Sequence, residues 1–346
     1  MKVLEITEPG GADVVRFAVR ADPRPGPGQM LIEVDFAGLN FTDVLARRGV
    51  AGYSTGWPFV PGMEVAGRVV ALGDDSSRFA VGDSVLSFTP TGGGLAERAV
   101  VDETLTTLVP DGLDLATATT IPLTWATAVG LVRRSGVAPG ESVLVTSAAG
   151  GVGQALTAVL SRRKPRVIVG GRGSAAKAVG AGVIAQDRGT QFFTESAAAA
   201  GGAFDAIFDS VGGDVAAEAM LNLAPGGRLV TYGAAAGDAD PESPPLAALR
   251  ARNNSIIGFS ILSLSRSNAA ATLNLITEAL ELPEHGVVMP PPNVVPWEQA
   301  IQGHLRQSEG RASGKSIVRI GTHHETRQGL TGPPTGARPA PVGGVR

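Results

Sequence analysis

The chain has 346 residues, 43% of them apolar, with a formal net charge of −3, four histidines and no cysteine. This length suggests about two domains, and a small net charge without long same-sign runs argues against a nucleic-acid footprint or a polybasic membrane patch. The lack of cysteine excludes disulfides, thiol nucleophiles and cysteine-ligated zinc.

All four histidines (His285, His304, His323 and His324) lie beyond residue 280, so a zinc site in the earlier chain would need three carboxylates, and no metal is expected. The acidic N-terminal stretch MKVLEITEPG does not read as a secretory signal, and no apolar run approaches the ~20 residues of a membrane span. A soluble cytoplasmic protein is expected, with small-molecule partners, no nucleic acid and no membrane.

Residues 1–122 read as mainly β. Met30 to Val34 and Val65 to Ala71 are strand-like, and turn residues punctuate them at Pro25 to Gly28, Pro61-Gly62, Gly73 to Asp75 and Gly82-Asp83. Such spacing suits a small barrel or sandwich. Asn40 to Asp43 opens a helical stretch through Arg48, with Thr42 or Asp43 as candidate N-cap. Near Trp125 the pattern changes to alternating helix and strand. Strands are expected at Val143 to Val145, Arg166 to Val169, Val183 to Ala185, Ala206 to Phe208, Gly227 to Tyr232 and Ser255 to Gly258. Helices are expected near 126–133, 151–163, 174–180, 191–200 and 215–223. This alternation demands right-handed crossovers and a doubly wound parallel sheet over residues 123–262, so the fold class is α/β. Residues 263–320, with helices near 268–281 and 297–307 and a strand from Lys315 to Ile320, are too few to bury their own core and are expected to return to the first domain. Residues 321–346 are rich in Gly, Pro, Thr and Arg and read as a disordered tail.

Within this frame the stretch Glu141 to Leu160 carries the chemistry. A β-branched strand runs into Ala149-Gly150-Gly151-Val152-Gly153 and then into an amphipathic helix. Glycines there let the backbone approach a pyrophosphate, and the unpaired N–H groups of the helix start hold it. About twenty residues on, an NAD-binding chain would place a carboxylate on the ribose 2′-OH. Here the sequence reads Gly170-Gly171-Arg172-Gly173-Ser174, with Lys177 one turn into the next helix and no acid before Asp187. Cations and a hydroxyl suit a 2′-phosphate, so NADPH is the expected cofactor.

Six segments, in order, carry a family resemblance: Gly38 to Asp43, Pro61 to Gly67, Val81 to Val85, Ala148 to Gly153, Phe208 to Gly213 and Gly314-Lys315. To about residue 320 the chain resembles the zinc-free quinone oxidoreductase branch of the medium-chain dehydrogenase/reductase superfamily. It is also similar to enoyl reductase modules of polyketide synthases. The resemblance implies a GroES-like β-barrel catalytic domain, a Rossmann domain, an active site in the cleft between them, NADPH as hydride donor and a homodimer. It marks Ser210, Val211, Tyr232, Gly233, Phe259 and Lys315 as further cofactor contacts beside the glycine turn. Where zinc-dependent relatives carry Gly-His-Glu, this chain has Gly62-Met63-Glu64. Related quinone reductases often carry tyrosine where this chain has Leu45.

Without metal or thiol, the expected reaction is hydride transfer to a quinone or an activated enone or enoyl double bond. Asn40 is expected near the nicotinamide and the substrate oxygen, with a local capping role as its rival. Thr124, at the domain junction, is a candidate for the carboxamide or ribose. Tyr53 either donates a proton or packs, and Lys177 sits like a lysine proposed as proton donor in enoyl reductases or else serves the 2′-phosphate. A quinone reductase, a biosynthetic enoyl reductase and a low-turnover NADPH-binding protein all remain open.

Overall fold

The computed structural model describes residues 1–76, 78–171, 191–236 and 246–321, together with the backbone of 183–186. Strands β1 (Lys2–Ile6) and β2 (Val15–Val19) form an antiparallel ribbon. They precede β3 (Gln29–Leu39), helix α1 (Phe41–Arg47), β4 (Glu64–Leu72), β5 (Ser84–Phe88), β6 (Arg98–Asp102) and β7 (Thr106–Leu108). Helix α2 (Leu115–Thr119), a π-helical turn at Ile121–Trp125 and α3 (Ala126–Ser135) lead to the alternating unit. This contains β8 (Ser142–Val145), α4 (Gly151–Ser161), β9 (Val167–Gly171), β10 (Val183–Gln186), α5 (Phe192–Ala200), β11 (Phe204–Asp209), α6 (Gly213–Leu221), β12 (Leu223–Thr231), α7 (Leu246–Arg252) and β13 (Ser255–Gly258). Helices α8 (Ile261–Ser267) and α9 (Ala269–Glu281), strand β14 (Asn293–Pro296), α10 (Ala300–Ser308) and β15 (Ser316–Arg319) follow. The helix expected near 174–180 and the tail from residue 322, with His323 and His324, lie outside the described residues.

Among the described residues, β8 to β13 form a parallel sheet in the order β10-β9-β8-β11-β12-β13, the 3-2-1-4-5-6 order of a doubly wound dinucleotide fold. Strand β8 is buried along its whole length. Val143 and Val145 pack on one side with Leu156 and Leu160 of α4, and Leu144 packs on the other with Phe192, Phe193 and Ala216. Both faces are covered, so an unbroken apolar run replaces polar alternation.

The second large sheet runs β14-β15-β3-β4-β5-β7, with β6 also pairing β3. Strand β3 extends beyond the expected Met30 to Val34 because two partners share one of its edges. Gln29 to Glu33 pair with β6, and Phe36 to Leu39 pair with β15. The last strand thus completes a sheet begun near the N-terminus. Met30, Ile32 and Val34 alternate into its core. A larger core joins the two units, from Met63 and Phe88 through Ile121 and Trp125 to Leu156 and Ile276. Full burial of each such side chain contributes about 1.5–3 kcal/mol.

Two local expectations change. The N-cap of α1 is Asn40, and Asp43 is the third helical residue, its carboxylate reaching back to the Asn40 N–H at 2.9 Å; a carboxylate at that position satisfies the cap's own donor. The stretch from Trp297 opens as a 3-10 turn, Trp297–Gln299, and becomes α-helical only at Ala300. Among the described residues no helix is long and apolar enough to cross a membrane.

Gly153 explains the tightness of the turn between β8 and α4. A Cβ there would run into the Ser147 carbonyl oxygen and come within 2.7 Å of the Ala148 Cα, both backbone atoms that cannot swing aside. At Gly151 a Cβ would sit 3.4 Å from Lys315, at the edge of ordinary contact. Gly153→Ala is therefore expected to lower stability in urea unfolding by about 1–3 kcal/mol. Gly151→Ala, at a helix start with room for a methyl, should change it by less than about 1 kcal/mol. Equal losses at both positions would contradict this geometry.

Candidate active site

A cavity of about 480 Å³ lies between the two sheets. One wall is the turn from Gly150 to Gly153, where β8 ends and α4 begins; the other comes from the end of β3, from α1 and from the π-helical turn. Gly314 closes the end of the cleft. Its N–H donates to the Ala149 carbonyl at 2.8 Å, so the segment before β15 is tied to the glycine turn.

Glu64 and Lys315 organise the floor. Glu64 is wholly buried and ion-paired with Lys315, whose side chain is 9% exposed. The Lys315 ammonium also donates to the Leu39 carbonyl at 3.0 Å and to Asn40 Oδ1 at 2.5 Å. Its three N–H donors therefore have three protein acceptors. Glu64 Oε1 accepts from Asn40 Nδ2 at 3.2 Å, while Oε2 accepts the Leu123 and Thr124 backbone N–H groups at 3.1 and 3.4 Å. The π-helical turn supplies these two donors, with Trp125 N–H reaching back five residues to Thr120. The carboxylate fits because residue 38 has no side chain: a Cβ there would lie 2.5 Å from Glu64 Cγ. Asn40 thus has its amide oriented from both ends.

Asp43 lies beneath this floor, wholly buried, and accepts from the Asn40 and Gly62 N–H groups, each at 2.9 Å. Burial pushes its carboxyl up to about 6 in spite of those two donors. Across the cleft, buried Asp209 accepts from Thr146 Oγ1 at 2.7 Å and from the Val211 and Gly212 N–H groups at 3.2 and 2.8 Å, which fixes the turn after β11. Tyr232 bonds Ser210, and burial together with nearby Asp209 holds its hydroxyl above the usual phenol range, so it stays protonated.

Three buried hydroxyls, Thr42, Thr124 and Thr127 Oγ1, line this cavity without a hydrogen-bond partner. Buried polar groups are rarely left so, and unmet hydroxyls on residues that line a cavity point to a polar ligand there.

The structure gathers Asn40, Tyr53, Thr124, Gly150, Gly151, Val152, Gly153, Ser210, Val211, Tyr232, Gly233, Phe259 and Lys315 around the one cavity. Ala149 is buried behind it and contributes its carbonyl to Gly314. Gly171 ends β9, whereas Arg172, Ser174 and Lys177 lie outside the described residues. Sequence reasoning gives Glu64 no role beyond its place in Gly62-Met63-Glu64, although an acid opening an apolar strand is a signal. It also passed over Thr127, three residues after Thr124 on the same helical face.

Residues 26–111 match the alcohol dehydrogenase GroES-like domain, and residues 179–318 match the zinc-binding dehydrogenase family. Quinone oxidoreductase-like protein 2 of Mus musculus is 30% identical over 311 residues, covering 86% of this chain and 87% of that protein. A mycobacterial protein solved in complex with NADPH superposes with a TM-score of 0.84 at 27% identity, covering 92% of this chain and 99% of that one. The CurK enoyl reductase superposes with a TM-score of 0.79 at 25% identity, covering 92% and 99%.

The donor set here does not fit the zinc named by the second family. Met63 offers a buried thioether, and the one carboxylate beside it, Glu64, is already paired with a cation and two N–H groups. No group of three His, Cys, Asp or Glu stands together among the described residues. A second cation next to Lys315 would be repelled.

Two predictions follow from the buried charges. Lys315→Met leaves Glu64 buried and unpaired, and should cost about 3–5 kcal/mol in denaturant unfolding; adding Glu64→Gln should recover part of that loss, and strict additivity would show the pair is uncoupled. The second concerns pH. His304, on α10 and 1% exposed with both ring nitrogens unpartnered, is pushed down to about 4 by burial and then by Arg47. For Asp43, folded near 6 against an ordinary 3.8, the fold holds a proton that the unfolded chain releases, so its contribution is present below that range and lost as pH rises through 6. For His304, folded near 4 against an ordinary 6.5, the unfolded chain takes the extra proton, so stability is lost as pH falls. Each amounts to about 3 kcal/mol, with opposite sign. Unfolding free energies between pH 4 and 6.5 should therefore be nearly level for these two groups together. They should slope downward with rising pH in His304→Leu and upward in Asp43→Asn.

Proposed function

The chain belongs to the medium-chain dehydrogenase/reductase superfamily, among its quinone oxidoreductase-like members, and from that premise we propose a zinc-independent, NADPH-dependent oxidoreductase that reduces a quinone or an enone or enoyl double bond. The observation that carries this reading is a cleft lined by a glycine turn at a helix start and by three threonines with unmet buried hydroxyls, with the Glu64 and Lys315 charges of its floor paired with each other.

The residues present fit the cofactor. Gly150 to Gly153 and the first N–H groups of α4 would hold the pyrophosphate. Asn40 and Thr124 would hold the nicotinamide end, with Ser210, Val211, Tyr232, Gly233 and Phe259 along the same wall. Gly171, Arg172, Ser174 and Lys177 would read the adenosine 2′-phosphate. NADPH, when bound, supplies the hydride.

The chain's own residues then position the acceptor and stabilise the oxygen that gains charge. In an enone the β-carbon takes the hydride, the π pair moves to the carbonyl oxygen and a proton arrives at the α-carbon. In a quinone both oxygens end protonated. Asn40 Nδ2 has one N–H left after its bond to Glu64 and serves the oxygen; Tyr53, at the cleft mouth, is the proposed proton donor. Apolar Leu45 and Met63 line the same space and suit an apolar acceptor. A conjugated acceptor spreads the incoming charge from carbon to oxygen, which favours it over an unactivated ketone in this cleft. A cytoplasmic location and a homodimer are part of the proposal, and the dimer is supported by β13, an edge strand with Ile256 41% exposed.

Steady-state assays with NADPH and NADH against 1,4-naphthoquinone, 1-octen-3-one and a simple ketone test the reading, with turnover expected for the first two acceptors only. Arg172→Ala/Lys177→Ala should lower kcat/KM for NADPH by about ten- to a hundredfold and leave NADH almost unaffected. Equal use of both cofactors by the unmodified enzyme would overturn the NADPH assignment, and turnover of the simple ketone alone would overturn the acceptor class.

A further inference from the structure

A second cavity, of about 390 Å³, opens beside the first. Tyr53, Ser260 and Leu262 line both, so they form the partition between the two spaces. Its outer wall is one face of α8, where Ser263, Arg266 and Ser267 follow the N-cap Ser260 at helical spacing, and the loop from Ala51 to Tyr53 stands opposite. No carboxylate lines it.

Arg266 gives this cavity its character. Its Nη2 donates to the Gly52 carbonyl at 2.6 Å across the mouth of the cleft. Among the described residues it has no acidic partner within ion-pair distance, although six other arginines are so paired. A guanidinium carries five N–H donors in a planar fork, so most remain uncommitted beside the hydroxyls of Ser260 and Ser263. A cation and hydroxyls without a nearby carboxylate form a receptor for an anion, and the fork matches carboxylate and phosphate alike.

We propose that this second cavity binds the anionic end of the acceptor, a carboxylate or phosphate, while the electron-poor double bond lies in the first cavity, with Arg266 as the residue that sets this specificity. The inference rests on the reading of the first cavity as the hydride-transfer site. It narrows the acceptor from any quinone or enone to a molecule with a charged tail beyond its reactive group. Arg266 touches the tail and not the reacting atoms, so it contributes uniform binding and acts on KM.

The test compares acceptors that differ only in tail charge. The carboxylate pair is 7-oxo-8-nonenoate and its methyl ester; the phosphate pair is S-crotonyl-4′-phosphopantetheine and S-crotonylpantetheine. In the unmodified enzyme the charged member of at least one pair should have a KM about tenfold lower than its neutral partner. In Arg266→Leu that ratio should fall to about one, and in Arg266→Lys part of it should return. Discrimination within the first pair alone identifies a carboxylate tail, and within the second alone a phosphate tail. No discrimination in either pair overturns the proposal. So does a ratio that survives Arg266→Leu, or a variant that weakens charged and neutral members equally, because the bond to Gly52 is then only a structural strap. If no member of either pair is reduced, charged or neutral, the hydride-transfer reading fails instead. Calorimetric titration of the same pairs into NADP-loaded protein still reads the charge ratio independently of turnover, with the same outcomes deciding it.

Discussion

The ion pair between Glu64 and Lys315 is the contact on which the rest of the cleft depends. Burying a carboxylate costs several kcal/mol unless both of its oxygens are met. Here they are met by an ammonium, an amide and two backbone N–H groups drawn from three separate parts of the chain. The ends of β3 and β4, the π-helical turn and the entry to β15 are thereby held to one point. Gly38 makes room for the carboxylate, and the π-type hydrogen bonding at Ile121–Trp125 turns two N–H groups toward it. The network also leaves Asn40 little rotational freedom, which is the preorganisation that hydride transfer requires of a group beside a developing oxyanion.

The polarity of the cavity follows from that arrangement. Glu64 and Lys315 are spent on one another beneath the surface, and most of the remaining lining is glycine, hydroxyl, amide and apolar residues. In such a setting hydrogen bonds act in a low local dielectric and are stronger than in water. Glu309, half-exposed and ion-paired with Arg311, is a charged group at its edge, and Arg266 is the cation of the neighbouring cavity. Placing that cation outside the reacting space separates the tasks of reacting and of recognising.

Much of this was legible in the residues. Short β-branched runs alternating with helices specify a doubly wound sheet, and Val143, Leu144 and Val145 show why, since each side of the strand packs against a different core. The glycine turn was legible as a place, though the two glycines differ: Gly153 is needed for strand–helix packing against Ser147, whereas Gly151 keeps space beside Lys315. The role of Lys315 was not legible, because its partner Glu64 lies 251 positions earlier and no local spacing rule relates them. The cap of α1 was misplaced by two or three residues for a similar reason. Asn40, Thr42 and Asp43 are all good capping residues, and only the register of the helix decides among them. Thr42 is thereby left as an unmet hydroxyl in the cleft rather than as a cap.

Strand β15 has a further consequence, for how the protein is made. Ribosomes release the chain from its N-terminus, so β3 emerges early with Phe36 to Leu39 unpaired along one edge until Ser316–Arg319 arrives nearly three hundred residues later. The parallel sheet between them is complete in sequence by Gly258 and can close around its own core while the first sheet still waits. Lys315 enters with that final strand, so Glu64 stays exposed to water, and the cleft floor unbuilt, through most of synthesis. A bare strand edge during that interval is a site for wrong pairing with other chains. The chain's vulnerability to aggregation is therefore concentrated in the time before its last strand docks, and the same docking event that ends it also assembles the site.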